Sequence, residues 1–408
     1  MKIFPFKALR PAAELAPKVA SKPYDVLNSK EAKVEAEGNP YSFLHITKSE
    51  IDLPESVDVH DKEVYKKAKE NLDAFIQRQI LFQENKPCYY IYELVMNSRK
   101  QTGLVCGSSI DDYENDLIKK HEFTRPEKEQ DRINHIKITG AQTGNVFLAY
   151  RNVEAIDNLI EQWKKDRSAV YSFTAEDKVQ HTIWVVNDSE TIRHITSLFE
   201  EEVPNTYIAD GHHRAASAAK VRKELGEKAT ADADIFLTTL FPSNQLAILD
   251  YNRVAIDLNG LTTEDFIDEV KKDFTIEPFD EAYSPSELHQ FGMYIDGRWY
   301  KLTAKRETYT DDPIGVLDVT ILQNAILDKV LGIKDPRTDT RVDFVGGIRG
   351  LNELEKRVDN GSAVVAFSLH PVSIQQLFDI ADSGNVMPPK STWFEPKLRD
   401  GLLTHLIH

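Results

Sequence analysis

The sequence predicts an α/β or α+β fold with a mixed sheet. The chain has 408 residues, of which 41% are hydrophobic, so it can bury a large core and form about two domains. Apolar residues follow strand-like and helix-like spacings in turn along most of the chain. Interleaved strands and helices without an internal repeat are typical of a sheet covered by helices.

The first predicted region spans residues 1–255. Its regular pattern begins with a helix over residues 58–85, where apolar residues recur at helical spacing. Strand-like and helix-like stretches then follow in the order PCYYIYELVM, GLVCGSSI, GNVFLAY, EAIDNLIEQWKK, SAVYSF, HTIWVVN, ETIRHITSLFEE, ADIFLTTLF and QLAILDYNRVA. A charge-rich stretch after the second of these, IKKHEFTRPEKEQDRINHI, is predicted to be a loop.

The second predicted region spans residues 256–408, where the pattern of elements restarts. Its predicted hairpin, FGMYIDGRWYKLTA, turns on Asp296 and Gly297, a pair that suits a tight two-residue turn. The other predicted elements are TEDFIDEVKKDF, LDVTILQNAILDKVLG, RVDFVGG, GLNELEKRV, AVVAFSLHP and SIQQLFDIA. The last stretch, VMPPKSTWFEPKLRDGLL, contains consecutive prolines, which predict an extended tail.

Charge and apolar content argue against several classes of protein. The formal net charge is −16, which disfavours binding of nucleic acid through a broad basic surface. No apolar run is long enough for a signal peptide or a membrane span, so the expected location is the cytoplasm, away from membranes. Cys88 and Cys106 lie in strand-like stretches without zinc-ligand spacing, and both are predicted to be buried free thiols.

The stretch YIADGHHRA places Asp210, Gly211, His212, His213 and Arg214 between a strand-like and a helix-like segment. A helix N-terminus offers unpaired backbone N–H groups and attracts anions. The glycine allows close approach of a ligand, the arginine can bind phosphate or carboxylate, and the histidines add donors. The aspartate could cap the helix, bind a metal or orient a histidine. The stretch predicts an anion site, and the alternative is a capped helix with solvated histidines.

A second cluster of polar residues lies in the charge-rich stretch. His121, Glu122 and Thr124 are followed by Asp131 and Arg132. A carboxylate here could bind Mg²⁺ or act as a base, and the arginine could contact an anionic group. The alternative is a solvated loop with weak local ion pairs. No His-Glu-x-x-His pattern is present, which argues against a zinc hydrolase.

Two further segments contain candidate substrate-binding residues. The stretch KPYDVL places Tyr24 and Asp25 after a proline that favours an extended entry, and the alternative is a buried tyrosine beside a turn-forming aspartate. The tail offers Lys390, Ser391 and Thr392, and the alternative there is an aromatic pair that simply anchors the tail.

Four stretches, in order along the chain, resemble the DUF1015 family. They are PFKALRPAAELAPKVASKPYDVL, IKKHEFTRPEKEQDR, YIADGHHRAASA and MPPKSTWFEPKL. The resemblance implies a ParB/sulfiredoxin-like core, in which a turn at a helix start holds nucleotide phosphates, and a similarity to free serine kinases. It also implies Mg²⁺ and ATP or ADP as cofactors. The motif lacks the catalytic cysteine of sulfiredoxins, and no helix-turn-helix region like that of ParB is recognisable.

Residues and resemblance together predict a nucleotide- or phosphate-binding protein, in the form of a phosphotransferase acting on a small hydroxy amino acid, with serine preferred. The predicted catalytic residues are Asp210, His212, His213 and Glu122, of which Asp210 and Glu122 are also the predicted metal ligands. The predicted phosphate-binding residues are Gly211, His213, Arg214 and Arg132. The predicted substrate-binding residues are Tyr24, Asp25, His121, Thr124, Lys390, Ser391 and Thr392.

Two other functions stay open on the sequence alone. One is a non-enzymatic nucleotide-binding or scaffold protein, which would bind the same ligand without turnover. The other is a metal-dependent phosphoesterase that releases phosphate from phosphoserine. All three functions have a small-molecule ligand as the expected partner, and the sequence specifies no oligomeric state.

Overall fold

The chain forms two compact units. The computed structural model describes residues 1–407. The first unit contains Met1–Leu246 together with the chain from Pro396 onward, and the second contains Ala247–Glu395.

The first unit is built on a nine-stranded mixed sheet. Up to residue 242 the strands of this unit are β1 (Ile3–Phe4), β2 (Leu9–Pro11), β3 (Leu81–Gln83), β4 (Tyr89–Met96), β5 (Arg99–Ser109), β6 (Ile118–Lys119), β7 (Ala141–Gln142), β8 (Val146–Tyr150), β9 (Tyr171–Thr174), β10 (Gln180–Val186), β11 (Thr206–Asp210) and β12 (Ile235–Pro242). Of these, β2, β3 and β7 lie outside the nine-stranded sheet. The sheet order is β6-β11-β8-β12-β5-β4-β10-β9, and β1 pairs with β5. β6 and β11 are parallel, as are β8 and β12, and the other pairs are antiparallel. The predicted mixed α/β class is confirmed.

Helices of the first unit bury apolar faces. They are α1 (Ala16–Val19), α2 (Ser29–Ala36), α3 (Leu44–Thr47), α4 (Lys62–Gln77), α5 (Ile110–Glu114), α6 (Pro126–Thr139), α7 (Glu154–Asp166), α8 (Ser189–Glu202) and α9 (His212–Leu225). Helix α7 buries Ile156, Ile160 and Trp163, whose spacing places them on one side. These residues join Ile195 and Phe199 of α8 in the core formed with the sheet strands.

Part of the predicted charge-rich loop is a helix. Helix α6 begins at Pro126 and ends before Gly140, whose φ of 70° lies in the left-handed region. Proline at the start, an acidic first turn and glycine after the end all favour this helix. Its apolar contacts are few, because Ile133 and Ile136 join only a small cluster with Val221 of α9. Because this helix has so few buried apolar residues, its sequence shows only a weak helical periodicity.

The second unit is built on a six-stranded antiparallel sheet, with the order β15-β17-β16-β19-β14-β18. The strands of this unit are β13 (Ile248–Leu249), β14 (Tyr251–Ala255), β15 (Phe274–Phe279), β16 (Gln290–Ile295), β17 (Arg298–Ala304), β18 (Val342–Gly346), β19 (Val365–Leu369) and β20 (Trp393–Phe394). Of these, β13 and β20 pair with each other outside the six-stranded sheet. Its helices are α10 (Thr263–Val270), α11 (Asp318–Leu322), α12 (Asn352–Asp359) and α13 (Ile374–Asp382). Trp299 and Leu354 are part of its core.

The predicted hairpin is present in this second sheet. Strands β16 and β17 are joined at Asp296 and Gly297, whose φ angles are 48° and 71°. Both residues lie in the left-handed region, as the favoured two-residue hairpin turn requires.

The two units divide at different positions from the predicted regions. Strand β14, which the prediction placed in the first region, pairs with β18 and β19 of the second unit. The end of the tail returns to the first unit, where the last strand, β21 (His405–Leu406), pairs with β7. This return is a pairing between residues far apart in sequence, so local patterns do not reveal it.

Two smaller sequence expectations also have structural counterparts. Cys88 and Cys106 are buried and free, as predicted. No helix among residues 1–407 is long and apolar enough to cross a membrane.

We expect Leu148→Ala to lower the free energy of unfolding of the first unit by about 2–5 kcal/mol, because it opens a cavity in a packed core. Leu148 lies in β8, between β11 and β12, and is 0% exposed. The same change at Leu117, which is 39% exposed, should cost less than about 1 kcal/mol. Urea unfolding followed by circular dichroism measures both variants, and equal losses would contradict the position of β8 in the core.

Candidate functional site

The two predicted clusters meet at the ends of neighbouring strands. β6 and β11 are parallel, with Ile118 opposite Thr206, so both strands end at the same edge of the sheet. The loop of residues 121–125 follows β6, and the turn at Asp210 leads from β11 into α9. Strand pairing therefore places the histidine-containing loop beside the helix start.

Gly211 forms the turn between β11 and α9. Its φ of 101° lies in the left-handed region, and a Cβ there would lie 3.1 Å from Nε of Arg214 and 3.3 Å from Cα of Val146. Among residues 1–407 no side chain caps the helix at this residue, so Asp210 is not the cap that the simpler alternative required. The positive φ and these close contacts favour glycine, and the first N–H groups of α9 have no partner within the helix.

Arg214 lies between two carboxylates. Its Nη2 is 3.4 Å from Oδ2 of Asp25 and 3.5 Å from Oδ1 of Asp210, and its Nη1 donates to the backbone oxygen of Asn145. Burial alone would lower the pKa of this guanidinium, but Asp25 and Asp210 raise it above its usual value. Its Nε is buried and has no hydrogen-bond partner among the described residues. The arginine therefore stays charged and keeps donor capacity.

Asp210 contacts a second cation that comes from the tail. Its Oδ2 accepts a hydrogen bond from Nζ of Lys397 at 3.1 Å. Burial would raise the pKa of Asp210, but Lys397 and Arg214 outweigh burial and hold that pKa below its usual range. Asp210 is therefore an ionised carboxylate near neutral pH.

His212 and His121 form a buried pair. Their ring centroids are 4.6 Å apart and the rings are nearly perpendicular, at 89°. The backbone N–H of His121 donates to Nε2 of His212 at 3.5 Å, and Oε2 of Glu122 lies 4.0 Å from Nδ1 of His212. Because Nε2 accepts a hydrogen bond, a neutral His212 carries its proton on Nδ1, towards Glu122.

His213 makes a parallel contact with the same loop. Its Nε2 accepts the backbone N–H of Arg125 at 2.9 Å, and burial lowers the pKa of His213. Thr124 of this loop donates through its hydroxyl to Oε2 of Glu129, at 2.7 Å. The two histidines of the turn thus hold the loop of residues 121–125 against the start of α9.

Tyr24, Arg132 and Arg214 line one small cavity of about 20 Å³. The guanidinium carbon of Arg132 lies 3.9 Å from the centroid of the Tyr24 ring, a cation–π contact. Arg132 also donates two hydrogen bonds to Oδ2 of Asp131, at 2.9 and 2.7 Å. A cavity of this size can hold about one water molecule, so it is not a ligand pocket by itself.

Asp400 and Lys397 belong to this site, and the sequence did not single them out. The Asp400 carboxylate is buried, and burial raises its pKa to about 8, although Arg214 acts in the opposite direction. Its Oδ2 has no hydrogen-bond partner among residues 1–407. A signal was available in the sequence, because the stretch PKLRDGLL places charges directly before two leucines. Charged residues beside an apolar pair in a tail are candidates for burial with partners.

The tail residues proposed for substrate binding lie in the second unit. The hydroxyl of Ser391 donates to the backbone oxygen of Pro388 at 2.6 Å, and the backbone oxygen of Lys390 accepts from Nη2 of Arg253 at 3.1 Å. Thr392 precedes β20 in the same unit. A role of these residues in substrate binding stays a prediction.

Metal ligands were predicted at Asp210 and Glu122. Among the described residues no group of three or more histidine, cysteine, aspartate or glutamate side chains is arranged to hold a metal ion. Asp210 is contacted by Lys397 and Arg214, whereas Glu122 has a side chain that is 43% exposed. Of the two, Glu122 is the more accessible to an ion that arrives with a ligand.

We expect the rings of His121 and His212 to stay neutral in the folded protein well below pH 6.5. Burial lowers the pKa of His121 to about 4, and burial together with His121 lowers that of His212 well below its usual value. An unfolded histidine takes up its proton near pH 6.5. The unfolded state then binds more protons, so the free energy of unfolding falls as the pH drops from about 6.5 towards 4.

An NMR titration of the histidine ring protons checks this, with the two signals assigned from His121→Gln and His212→Gln. In the His121→Gln variant, the free energy of unfolding should depend less on pH between about 6.5 and 4 than in the native chain. A His121 or His212 ring that titrates near pH 6.5 in the folded protein would contradict the neutral pair.

Comparisons with solved structures give distant similarities. A free serine kinase in complex with AMP has 12% identity and a TM-score of 0.38, over 72% of this chain and 91% of its own. A conserved hypothetical protein from Pyrococcus furiosus has 12% identity and a TM-score of 0.37, over 74% and 95%. SbnI with a C-terminal truncation, from Staphylococcus aureus, has 12% identity and a TM-score of 0.37, over 74% and 87%.

Comparison by sequence gives one clear assignment. A search of curated proteins found no match. The family model described as "Protein of unknown function (DUF1015)" matches residues 3–320, which is more than half of the chain. The chain therefore belongs to the DUF1015 family.

Proposed function

We propose that this chain is a phosphotransferase that binds a nucleotide at the turn from Asp210 to Arg214 and moves a phosphoryl group to or from the hydroxyl of a small amino acid. One observation carries the proposal: at the start of α9, the charged Arg214 lies within 3.5 Å of both Asp25 and Asp210. Phosphoryl transfer needs cations for the phosphate oxygens and a carboxylate for the attacking hydroxyl. The cation is Arg214, and Glu122, which lies 4.0 Å from His212 of the same helix start, is the candidate carboxylate.

Phosphate would bind at the turn itself. The first N–H groups of α9 have no partner within the helix and lie at the positive end of its dipole, and Gly211 lets a ligand approach the backbone. Arg214 adds a guanidinium whose Nε has no partner among residues 1–407. Arg132, which already has a carboxylate partner, would contribute charge from behind Tyr24.

We propose a positioning role for His212 and His213, rather than stabilisation of phosphate by a charged ring. His212 and His213 both accept backbone N–H groups, and their pKa values are lowered by burial. We assign them to holding the loop of residues 121–125 closed over the site as neutral groups. Any hydrogen bond to phosphate would come from the Nδ1 proton rather than from a cationic ring.

Glu122 is the proposed base. In the transfer, the hydroxyl oxygen of the acceptor attacks the terminal phosphorus, the bond from phosphorus to its bridging oxygen breaks, and the hydroxyl proton passes to a carboxylate. Asp210 is held ionised by two cations, so its low pKa makes it a weak base that orients Arg214 and Lys397 instead. Glu122 is accessible and lies beside His212.

The acceptor would lie near Tyr24, Asp25, His121 and Thr124, which surround the turn. Serine is the preferred acceptor because of the resemblance of the motif to that of free serine kinases, and the same resemblance supports a ParB/sulfiredoxin-like core in the first unit. Mg²⁺ would be held mainly by the nucleotide phosphates, since this ion usually keeps several waters and takes few ligands from the protein. The ion would neutralise charge on the phosphates.

We expect Arg214→Ala to weaken binding of ADP or ATP by about tenfold to a hundredfold, the effect of losing charge-assisted hydrogen bonds. Arg222→Ala is the matched control, because Arg222 lies on the same helix and pairs at its surface with Asp111 and Asp234. Isothermal titration calorimetry measures the affinity, and circular dichroism checks the fold. Equal affinity of a folded Arg214→Ala protein and the Arg222→Ala control would remove the phosphate site from this turn.

We expect phosphorus NMR to show new phosphoserine when the protein is incubated with Mg²⁺, L-serine and ATP or ADP. Glu122→Gln should lower this rate by about a hundredfold or more, because a general base is removed, and should change nucleotide affinity little. Glu127→Gln, on the exposed first turn of α6, is the control and should leave the rate unchanged.

Other outcomes of the same experiment identify the other functions. Free phosphate from phosphoserine without nucleotide would show a phosphoesterase. Nucleotide binding without any transfer would show a binding or scaffold protein. Unchanged turnover in Glu122→Gln, with transfer still observed, would mean that another carboxylate is the base.

A further inference from the structure

A second cavity lies in the first unit, on the other side of the tail from Arg214. Its volume is about 190 Å³, far larger than that of the cavity lined by Arg132 and Arg214. Four segments that are distant in sequence form its walls, at residues 17–22, 35–42, 173–177 and 399. A cavity assembled from so many segments is fixed by the fold rather than by one flexible loop.

Charges of both signs line this cavity. Nζ of Lys22 lies 2.6 Å from Oε2 of Glu35, and the guanidinium of Arg399 pairs with Asp177. Glu176 adds a third carboxylate to the lining. The Arg399 side chain lines the cavity and is only 8% exposed, so its charge is largely shielded from bulk water.

Neutral groups complete the wall. The hydroxyls of Ser21 and Ser42 are hydrogen-bonded to each other at 3.1 Å, and both residues are buried. The ring of Phe173 adds an apolar surface and stacks on His181 at 5.3 Å between centroids. Hydroxyls, an aromatic face and opposite charges therefore surround a space large enough for a small molecule.

The cavity is separated from the phosphate site by one pair of backbone segments. Ser21 and Asp400 exchange two backbone hydrogen bonds, at 3.1 and 2.9 Å. Arg399 lines the cavity, whereas the next residue, Asp400, has its carboxylate near Gly144 and Arg214. Consecutive residues of an extended segment point to opposite sides. A molecule in the cavity is thus not placed to attack a phosphate at Arg214.

We propose that this cavity is a separate binding site for a small zwitterion, namely a free α-amino acid. The carboxylate of the ligand would form ion pairs with the guanidinium of Arg399 and the ammonium of Lys22. Its amino group would form ion pairs with the carboxylates of Glu35 and Glu176. A ligand with one sign of charge meets like charge on one wall, whereas a zwitterion satisfies both. Arginine suits this role because its planar fork matches a carboxylate.

The test is isothermal titration calorimetry of the whole chain with L-alanine, which has no hydroxyl and cannot be a phosphoryl acceptor. L-Alaninamide lacks the carboxylate and propionate lacks the ammonium group, so both should bind at least about tenfold more weakly than L-alanine. No heat with L-alanine at about 10 mM, or equal binding of either analogue, would overturn the proposal.

Variants locate the binding. Lys22→Gln is chosen because that side chain is 40% exposed and its loss leaves the core intact, and it should weaken L-alanine binding about tenfold. Lys33→Gln, on the exposed side of α2, is the matched control and should bind as the native chain does. Equal binding by the two variants would exclude this cavity.

Binding of L-alanine to this cavity does not depend on the proposed phosphotransfer. Arg214→Ala should lose nucleotide affinity while keeping L-alanine affinity, if both proposals hold. Loss of L-alanine binding in Arg214→Ala alone would place the amino acid at the turn, and would overturn the separate site.

Discussion

The nearly buried charge of Arg214 is the constraint around which the first unit is arranged. A guanidinium that is only 10% exposed is strongly destabilising unless it is neutralised and hydrogen-bonded. Its partners come from three places: Asp25 from the N-terminal segment, Asp210 from the end of β11, and the backbone oxygen of Asn145 from the loop before β8. Each of these segments provides one partner for the same cation.

The site is divided into a charged part and a neutral part. On one side of α9, Asp210 links Arg214 to Lys397, so that cations and carboxylates alternate. On the other side, His121 and His212 are kept uncharged by burial. Ion-paired side chains and neutral rings therefore meet at the start of α9.

Local rules predicted much of the fold and part of the site. The strand, glycine and helix at residues 206–225 follow from short-range preferences, as does the hairpin at Asp296. Helix α6 was missed because its charged residues hide its few apolar contacts. Lys397 and Asp400 were missed for another reason, since their partners Asp210 and Arg214 are almost two hundred residues earlier in the chain. Spacing within a motif carries no information about such pairings, which depend on the route of the whole chain.

The return of the tail to the first unit determines when the site can be completed during synthesis. The second unit is an insertion within the first, because the chain leaves the first unit after Leu246 and rejoins it at Pro396. A ribosome therefore makes all of Ala247–Glu395 before it makes Lys397 and Asp400. Domains fold as units while the chain emerges, so the inserted unit can fold while the first is still incomplete. Until Lys397 has emerged, Asp210 lacks its lysine, so the site of the first unit is incomplete while the inserted unit folds.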